Sequence, residues 1–533
     1  MTVWYAGEEF TPQERRQLAP YFTNLKGPVF ALVNLPEVVK GALFARYSRT
    51  SKSLRRLFLD EFAQEIDEFT PTGHVGTERA EKLYDRVFFE YGDDSVAQLG
   101  GVHLACEQAS QLLCKALEWG RLAAYLEQST RYMRYDDRPD GRWRFTMPPE
   151  IEGSALAERF RGFVDHSFET YGKLFEPLAE FFRGLYPKDP NDSDFVYRST
   201  ITAKTCDALR DMLPAATRSN TGIYATGQSY EQLLLRLRAH PLQEMREYAD
   251  LMLVELRKVI PAFLKRVDLE DRGVAWSEYL ADTLERTREV TAKVLAGTQP
   301  EPRDEVTLGE WDPDGEVKVV AAALYASSDL PDDQLLEIAR SMSPAEREAV
   351  LTAYVGDRAN RRHRPGRAFE RTEYRFDVLC DYGAFRDLQR HRPLTMEWQR
   401  LTTEHGYEVP PEIEEAGFLD DWRSVTDQSK EIHQALVAEG FDDAAQYAVA
   451  MAFKIRFVIQ MNAREAMHLI ELRTTPQGHP VYRRVAQQMH RLIDEQAGHH
   501  ALAEAMRYVD YSNVELERLE AERRTEAKRK ARR

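Results

Sequence analysis

The same order of parts occurs twice in this chain, and no other feature restricts its fold so strongly. Late in the sequence an alternating run, Glu373 to Leu379, precedes a helix and the triplet Arg390-His391-Arg392. A long helical section opens near 420. Then come Asn462-Ala463-Arg464-Glu465-Ala466-Met467-His468-Leu469-Ile470-Glu471-Leu472-Arg473, the pair His479-Pro480 and an amphipathic helix. Earlier, Val102 to Cys106 reads as a strand, and Leu112, Leu113, Ala116 and Leu117 fit one helix face. Leu156, Phe160, Phe163, Val164, Phe168, Tyr171, Leu174, Leu178 and Phe182 predict one long amphipathic helix over 155–186. Further helices are expected over Ala203 to Leu213, Tyr230 to Leu237 and 275–296. Leu233 to Arg238 followed by His240-Pro241 occupies the place that Asn462 to Arg473 and His479-Pro480 hold later. Two copies of one supersecondary order imply duplication.

The cut between copies falls where periodicity stops and proline, glycine and acid take over: Gly297 to Glu305, then Trp311-Asp312-Pro313-Asp314-Gly315. The expected organisation is a first half over 1–297, a linker over 298–316, a second half over 317–515 and a charged tail over 516–533. Short alternating runs among long helices predict an α+β fold, each half a small, mainly antiparallel sheet with several long helices. The tail, ending Lys528-Arg529-Lys530-Ala531-Arg532-Arg533, reads as a solvated, frayed helix end. Nearer the N-terminus, Leu35 to Leu43 predicts a short helix, and Arg46 to Arg56 a basic, hydroxyl-rich surface turn.

Composition excludes several classes. Hydrophobic content of 43% and aromatic content of 11% over 533 residues are those of a multi-domain globular protein. No apolar run approaches the roughly 20 residues of a membrane span, and the acidic N-terminus lacks the layout of a secretion signal. Cys106, Cys114, Cys206 and Cys380 show no metal or redox spacing and read as reduced and buried, which places the chain in the cytoplasm. A net charge of -16 disfavours a general nucleic-acid role. There is no G-x-G-x-x-G and no Walker loop, and no metal site is expected.

The densest chemistry lies in Glu127-Gln128-Ser129-Thr130-Arg131-Tyr132. If extended, Glu127, Ser129 and Arg131 share one face. An arginine fork beside a hydroxyl suits a phosphate or carboxylate, and a carboxylate accepts from an imide or hydroxyl. A polar loop with one structural ion pair would have the same composition.

Three stretches, Tyr91 to Gln98, Glu118-Trp119-Gly120-Arg121 and Glu127 to Tyr132, resemble the core of the flavin-dependent thymidylate synthase family. That family carries a glycine-histidine-x-serine segment, an arginine-histidine-arginine triplet and a closing E-x-S-x-R-Y. The closing piece is intact here, but Trp119-Gly120-Arg121 stands in the triplet's place, and the triplet itself is Arg390-His391-Arg392 in the second copy. The second copy also keeps Glu370, Arg386, Arg456, Asn462, Arg464 and Arg473 at family positions, while Arg400 and Thr402 replace the serine and arginine of the nucleotide segment. In the first copy Thr226-Gly227-Gln228 stands for the family's N-x-R, and Arg210 matches a nucleotide-contacting arginine.

The resemblance implies reductive methylation of dUMP to dTMP with FAD, methylenetetrahydrofolate and NADPH. It assigns Glu127, Gln128, Ser129, Arg131, Arg210 and Arg473 to the nucleotide, with Ser129 and Arg473 catalytic. It assigns Glu370, Arg390, His391, Arg392, Asn462, Arg464 and His468 to the flavin. Each half keeps what the other lost, so one composite site per chain is expected, in a homodimer that mimics the family's homotetramer. The alternative is a catalytically degenerate paralogue that binds nucleotide or flavin in a regulatory or structural role.

Overall fold

The computed structural model describes residues 7–35, 47, 50–61, 63, 101–516 and 518–532. Outside these residues lie all but the first residue of the helix expected over Leu35 to Leu43, Arg46, Ser48 and Arg49 of the basic turn, and the run Tyr91 to Gln98.

The described strands form two four-stranded antiparallel sheets of one topology. In the first, β1 (Val29–Leu32), β2 (Gly101–Ser110), β3 (Ala123–Glu127) and β4 (Arg218–Thr226) lie in the order β1-β2-β4-β3. In the second, β5 (Val306–Trp311), β6 (Glu373–Asp381), β7 (Thr395–Trp398) and β8 (Lys454–Asn462) lie in the order β5-β6-β8-β7. The α+β class is therefore as expected, and the repeat is visible in strand order. The sequence pattern explains the strands. In β8, Ile455, Phe457, Ile459 and Met461 are buried while Arg456 and Gln460 turn outward, the period of two that a half-buried strand requires.

Register aligns the copies residue by residue. Thr226 ends β4 and caps the helix Gly227–Arg238, as Asn462 ends β8 and caps the helix Ala463–Arg473. Glu127 pairs with Thr221, five residues before Thr226, and Trp398 pairs with Phe457, five before Asn462. Trp398 thus stands where Glu127 does in the other copy. Counting along the chain, Arg400 and Thr402 match Ser129 and Arg131, and Arg390-His391-Arg392 matches Trp119-Gly120-Arg121.

The chain folds into two compact units, each assembled from three stretches. One comprises Met1–Glu176, Met212–Gln299 and Asp420–Ala450; the other comprises Pro177–Asp211, Pro300–Leu419 and Met451–Arg533. The long expected helix is Ala157–Leu185, with every apolar position named above buried, and the division falls within it. In the first unit the borrowed stretch Asp420–Ala450 is tied in by the Tyr447 hydroxyl, which donates to Glu244 at 2.7 Å, and by Ala215 N–H to Val449 C=O at 2.8 Å. In the second unit Pro177–Asp211 is held by Lys204 to Glu412 at 3.0 Å and by Ala452 N–H to Asp211 C=O at 2.8 Å. The charged tail is not frayed as expected. The helix Leu519–Arg532 docks in the second unit through Arg523, which bonds Asp192 at 2.6 Å, and Arg529, which lies 5.6 Å over Phe195. All four cysteines are buried and unbridged, and no helix among the described residues is long and apolar enough to cross a membrane.

Two glycines test this packing in opposite directions. A Cβ on Gly383 would come 2.1 Å from Asp211 Oδ1, whereas one on Gly162, inside the long helix, would meet nothing within 4 Å. Gly383→Ala is expected to destabilise by about 1–3 kcal/mol, and Gly162→Ala to stabilise by about 0.5–1 kcal/mol. Chemical denaturation of the two variants checks both signs.

Candidate functional site

In the first unit the run that opened the chemistry is not extended throughout. β3 stops at Glu127, and Tyr132 N–H returns to Ser129 C=O at 3.2 Å while Ser129 Oγ accepts from Arg131 N–H at 3.2 Å. The alternation placing Glu127, Ser129 and Arg131 on one face therefore fails beyond Glu127: the serine hydroxyl offers its own chain a local bond, which competes with strand pairing. Glu127 is buried and takes Lys115 at 3.0 Å, and the same lysine reaches Glu118 at 2.6 Å. Gln128 accepts from Asn220 at 3.1 Å and donates to Thr50 C=O. Arg131 is buried, and Ser129 is half-buried.

The second unit collects the rest. The triplet follows the helix Tyr382–Leu388, which starts on an Asp381 cap accepting from Ala384 N–H at 2.7 Å. This places Asp387 one turn before Arg390. Asp387 faces three arginines: Arg390 at 3.6 Å, Arg210 at 3.7 Å and Arg473 at 3.9 Å. Arg473 also donates through Nη2 to the Asp387 carbonyl. Through Nε it donates to His391 Nε2 at 2.9 Å, so the proton of this neutral ring sits on Nδ1 and goes to Glu465 at 3.0 Å. Burial, then the charge of Arg473, holds His391 well below the usual histidine range. Burial pushes Glu465 up to about 7 and His468 down to about 4, with Arg364 close to both.

Around this core Arg390 and Arg392 are exposed, and Arg464 is half-exposed, bonding Pro365 C=O at 3.0 Å and Glu370 at 3.4 Å. Asn462 uses its side-chain oxygen to cap Glu465 N–H at 2.9 Å. Deeper, Arg210 is almost fully buried, and its Nη2 finds no hydrogen-bond partner among the described residues. Arg210 comes from the first sequence half and Arg390 and Arg473 from the second, yet one carboxylate in one unit gathers all three.

The family described as "Thymidylate synthase complementing protein" matches residues 40–262 and again 307–498. The chain belongs to this family. It matches twice, as a duplicated member does. A UPF0159 protein of Chlamydia muridarum is 37% identical over 526 residues, covering 97% of this chain and 99% of that protein. A UPF0159 protein of Chlamydia pneumoniae is also 37% identical, over 527 residues, with 97% and 98% covered. One of Thermoplasma acidophilum is 30% identical over 515 residues, with 92% and 99% covered.

The donor set of this family member fits an anionic dinucleotide such as FAD. Three outward arginines offer charge-assisted bonds to a pyrophosphate, while His391 and Asn462, already bonded internally, position their neighbours. His391, Glu465 and His468 bring ligand atoms within 4.8 Å of one another. A cation fits them poorly: both His391 nitrogens are engaged, and Arg361, Arg364 and Arg473 bear on His468. Sequence reasoning missed Asp387 and Glu465. Their signals were present as carboxylates three residues before Arg390 and three before His468, the spacing of helix neighbours.

Glu465→Gln tests this electrostatic reading. Below about pH 4.5 the carboxyl is protonated both folded and unfolded. Between 4.5 and about 7 the unfolded chain releases the proton and the folded chain keeps it, so this residue's contribution to stability falls as pH rises and then levels off. Glutamine cannot ionise, and His391 titrates in both proteins. The variant is expected to gain about 1–3 kcal/mol on the wild type between about pH 5 and pH 8. Urea unfolding across that range measures the difference, and a constant difference would count against the raised carboxyl.

Proposed function

We propose that this chain catalyses the reductive methylation of dUMP to dTMP, with FAD as cofactor, methylenetetrahydrofolate as carbon donor and NADPH as reductant. One observation carries the reading: Asp387 gathers Arg210, Arg390 and Arg473, whose family counterparts serve the nucleotide and the flavin. Arg473 is fixed by His391 and the Asp387 carbonyl, so its remaining N–H groups can meet a uracil ring in a set orientation and favour the ionised base. Arg210 brings a buried donor, its Nη2, that has no hydrogen-bond partner among the described residues and that a nucleotide's acceptor would satisfy. Arg390, Arg392 and Arg464 would neutralise the pyrophosphate of FAD, with Glu370 orienting Arg464. When bound, the flavin supplies the hydride that completes the methyl group. Ser129 and Arg131, with Glu127 and Gln128, are the first copy's contribution to nucleotide binding.

A second reading, ligand binding without turnover, has one observation in its favour. Glu127 and Gln128 already bond Lys115, Asn220 and Thr50, so the run has fewer groups to offer a substrate.

Protein reconstituted with FAD is expected to be yellow, to bleach with NADPH and to form dTMP from dUMP and methylenetetrahydrofolate. Colourless protein would remove the flavin from the proposal; yellow protein that forms no dTMP would select the second reading. Arg392→Ala is expected to weaken FAD binding and Arg131→Ala to weaken dUMP binding. Each loses a charge-assisted bond of about 1.5–3 kcal/mol, so each affinity falls roughly ten- to a hundredfold. Titrating both ligands against both variants checks the assignment.

A further inference from the structure

We propose that the first unit carries a further binding site, for a purine mononucleotide, in a recess beside the helix Gly227–Arg238. The site is independent of the chemistry proposed above. The recess has a volume of about 360 Å³ and is lined by Gln228, Gln232, Leu235, Arg266, Arg272 and Trp276, a size within the range of small-molecule pockets. Register gives its place in the fold. Gln228 stands two residues after Thr226 and Gln232 six after it, as Arg464 and His468 stand after Asn462. The helix is also anchored like its counterpart. Arg236 donates through Nη2 to Ala116 C=O at 2.6 Å, as Arg473 does to the Asp387 carbonyl. Ala116 and Asp387 stand three residues before Trp119 and Arg390, which share a register. The recess therefore lies on the helix face that carries Arg464 and His468 in the second copy, with two amides in their place. Of the three outward arginines that suit a pyrophosphate there, Trp119 and Gln228 replace two here, so a second dinucleotide does not fit.

Two segments close the recess. Gly273, where a Cβ would come 2.3 Å from the Val267 carbonyl oxygen, lets the π-helical turn Glu270–Val274 fold tightly against the preceding chain. Turns of this kind recur at functional sites. The helix that follows, Ala275–Val294, is seated by Ser277, which donates to Leu235 C=O at 3.3 Å. The groups so placed choose the ligand. Trp276 is 48% exposed and offers its indole to a flat heteroaromatic ring. The Gln232 amide makes no hydrogen bond among the described residues. It holds a donor beside an acceptor, the pair that matches an adenine edge. Arg266 grips Glu231 through two bonds of 3.1 and 2.8 Å, so these two form a neutral wall. Arg272 and Asp271 are 66% and 82% exposed and approach each other only to 3.8 Å. The guanidinium is thus open to a phosphate, and the carboxylate to ribose hydroxyls. One cation flanked by Glu270 and Asp271 suits a monophosphate, because a triphosphate would bring further negative charge against both acids.

Isothermal titration calorimetry of the full chain with AMP tests the site. AMP is expected to bind about tenfold more tightly than UMP, and more tightly than ATP. Trp276→Ala should weaken AMP roughly ten- to a hundredfold. Arg272→Ala should weaken AMP about tenfold and leave adenosine unchanged. Both positions are exposed, so both variants should keep the wild-type melting temperature. Arg392→Ala, in the second unit, should leave AMP binding as it was, which separates this site from the flavin site proposed above. No binding at millimolar AMP, no preference over UMP, or tighter binding of ATP would overturn the proposal. So would full AMP affinity in Trp276→Ala, an Arg272→Ala effect shared by adenosine, or loss of AMP binding in Arg392→Ala.

Discussion

Arg210, Asp211, Asp381, Arg386 and Asp387 lie buried together in the second unit, and any one of them would be costly to bury alone. Burial pushes Asp211 up to about 6 against the pull of Arg210 and Arg386, and burial with the charge of Asp211 pushes Asp381 well above the carboxylate range. Two of these groups arrive on the stretch Pro177–Asp211, and the other three stand at the end of β6 and in the helix that follows. That stretch supplies Arg210 as the counter-charge to Asp387 and packs Asp211 against Gly383. The unit is therefore tied across the sequence by electrostatics as well as by apolar packing. The same Asp387 that helps neutralise the cluster orients Arg473 and Arg390 at the candidate site.

Periodicity was legible where burial is one-sided. The helix Ala157–Leu185 followed directly from its apolar spacing, and β6 from its alternation, whereas β8 fell in a stretch expected to be helical. The path of the run after Glu127 is open in the sequence, because residue types do not reveal that Ser129 bonds Arg131 N–H. Asp387 and Glu465 escaped notice because each sits among helical residues, where a carboxylate is ordinarily a solvated charge. Their partners Arg210, Arg473 and His391 are distant in sequence. The unit composition was hidden for a similar reason: the break within the long helix is marked only by Pro177, which the helix accommodates without ending.

The two copies preserve the backbone and exchange the chemistry. Thr226 and Asn462 both cap a helix after the central strand of their sheet, so the change between them leaves the cap intact and alters only what the side chain can offer beyond it. At the ends of the matching edge strands, Glu127 is buried in an ion pair, while Trp398 packs against Phe385 at 5.5 Å. A charged pair in one copy has become an aromatic contact in the other, with strand pairing unchanged. Fold and site are thus under separate constraints here, and the register shows which substitutions altered only the second.

The interleaved make-up of the units also bears on synthesis. The first unit needs Asp420–Ala450, and the second needs both Pro177–Asp211 and residues beyond 451. Neither can close while the ribosome is still translating the first copy, even though that copy's sheet is complete by Thr226. The stretch Pro177–Asp211 must wait, with Arg210 and Asp211 solvated, for partners more than 150 residues downstream. A chain of this kind commits late: its early strands can pair, but the charges of Pro177–Asp211 find their complements only once translation is well into the second copy.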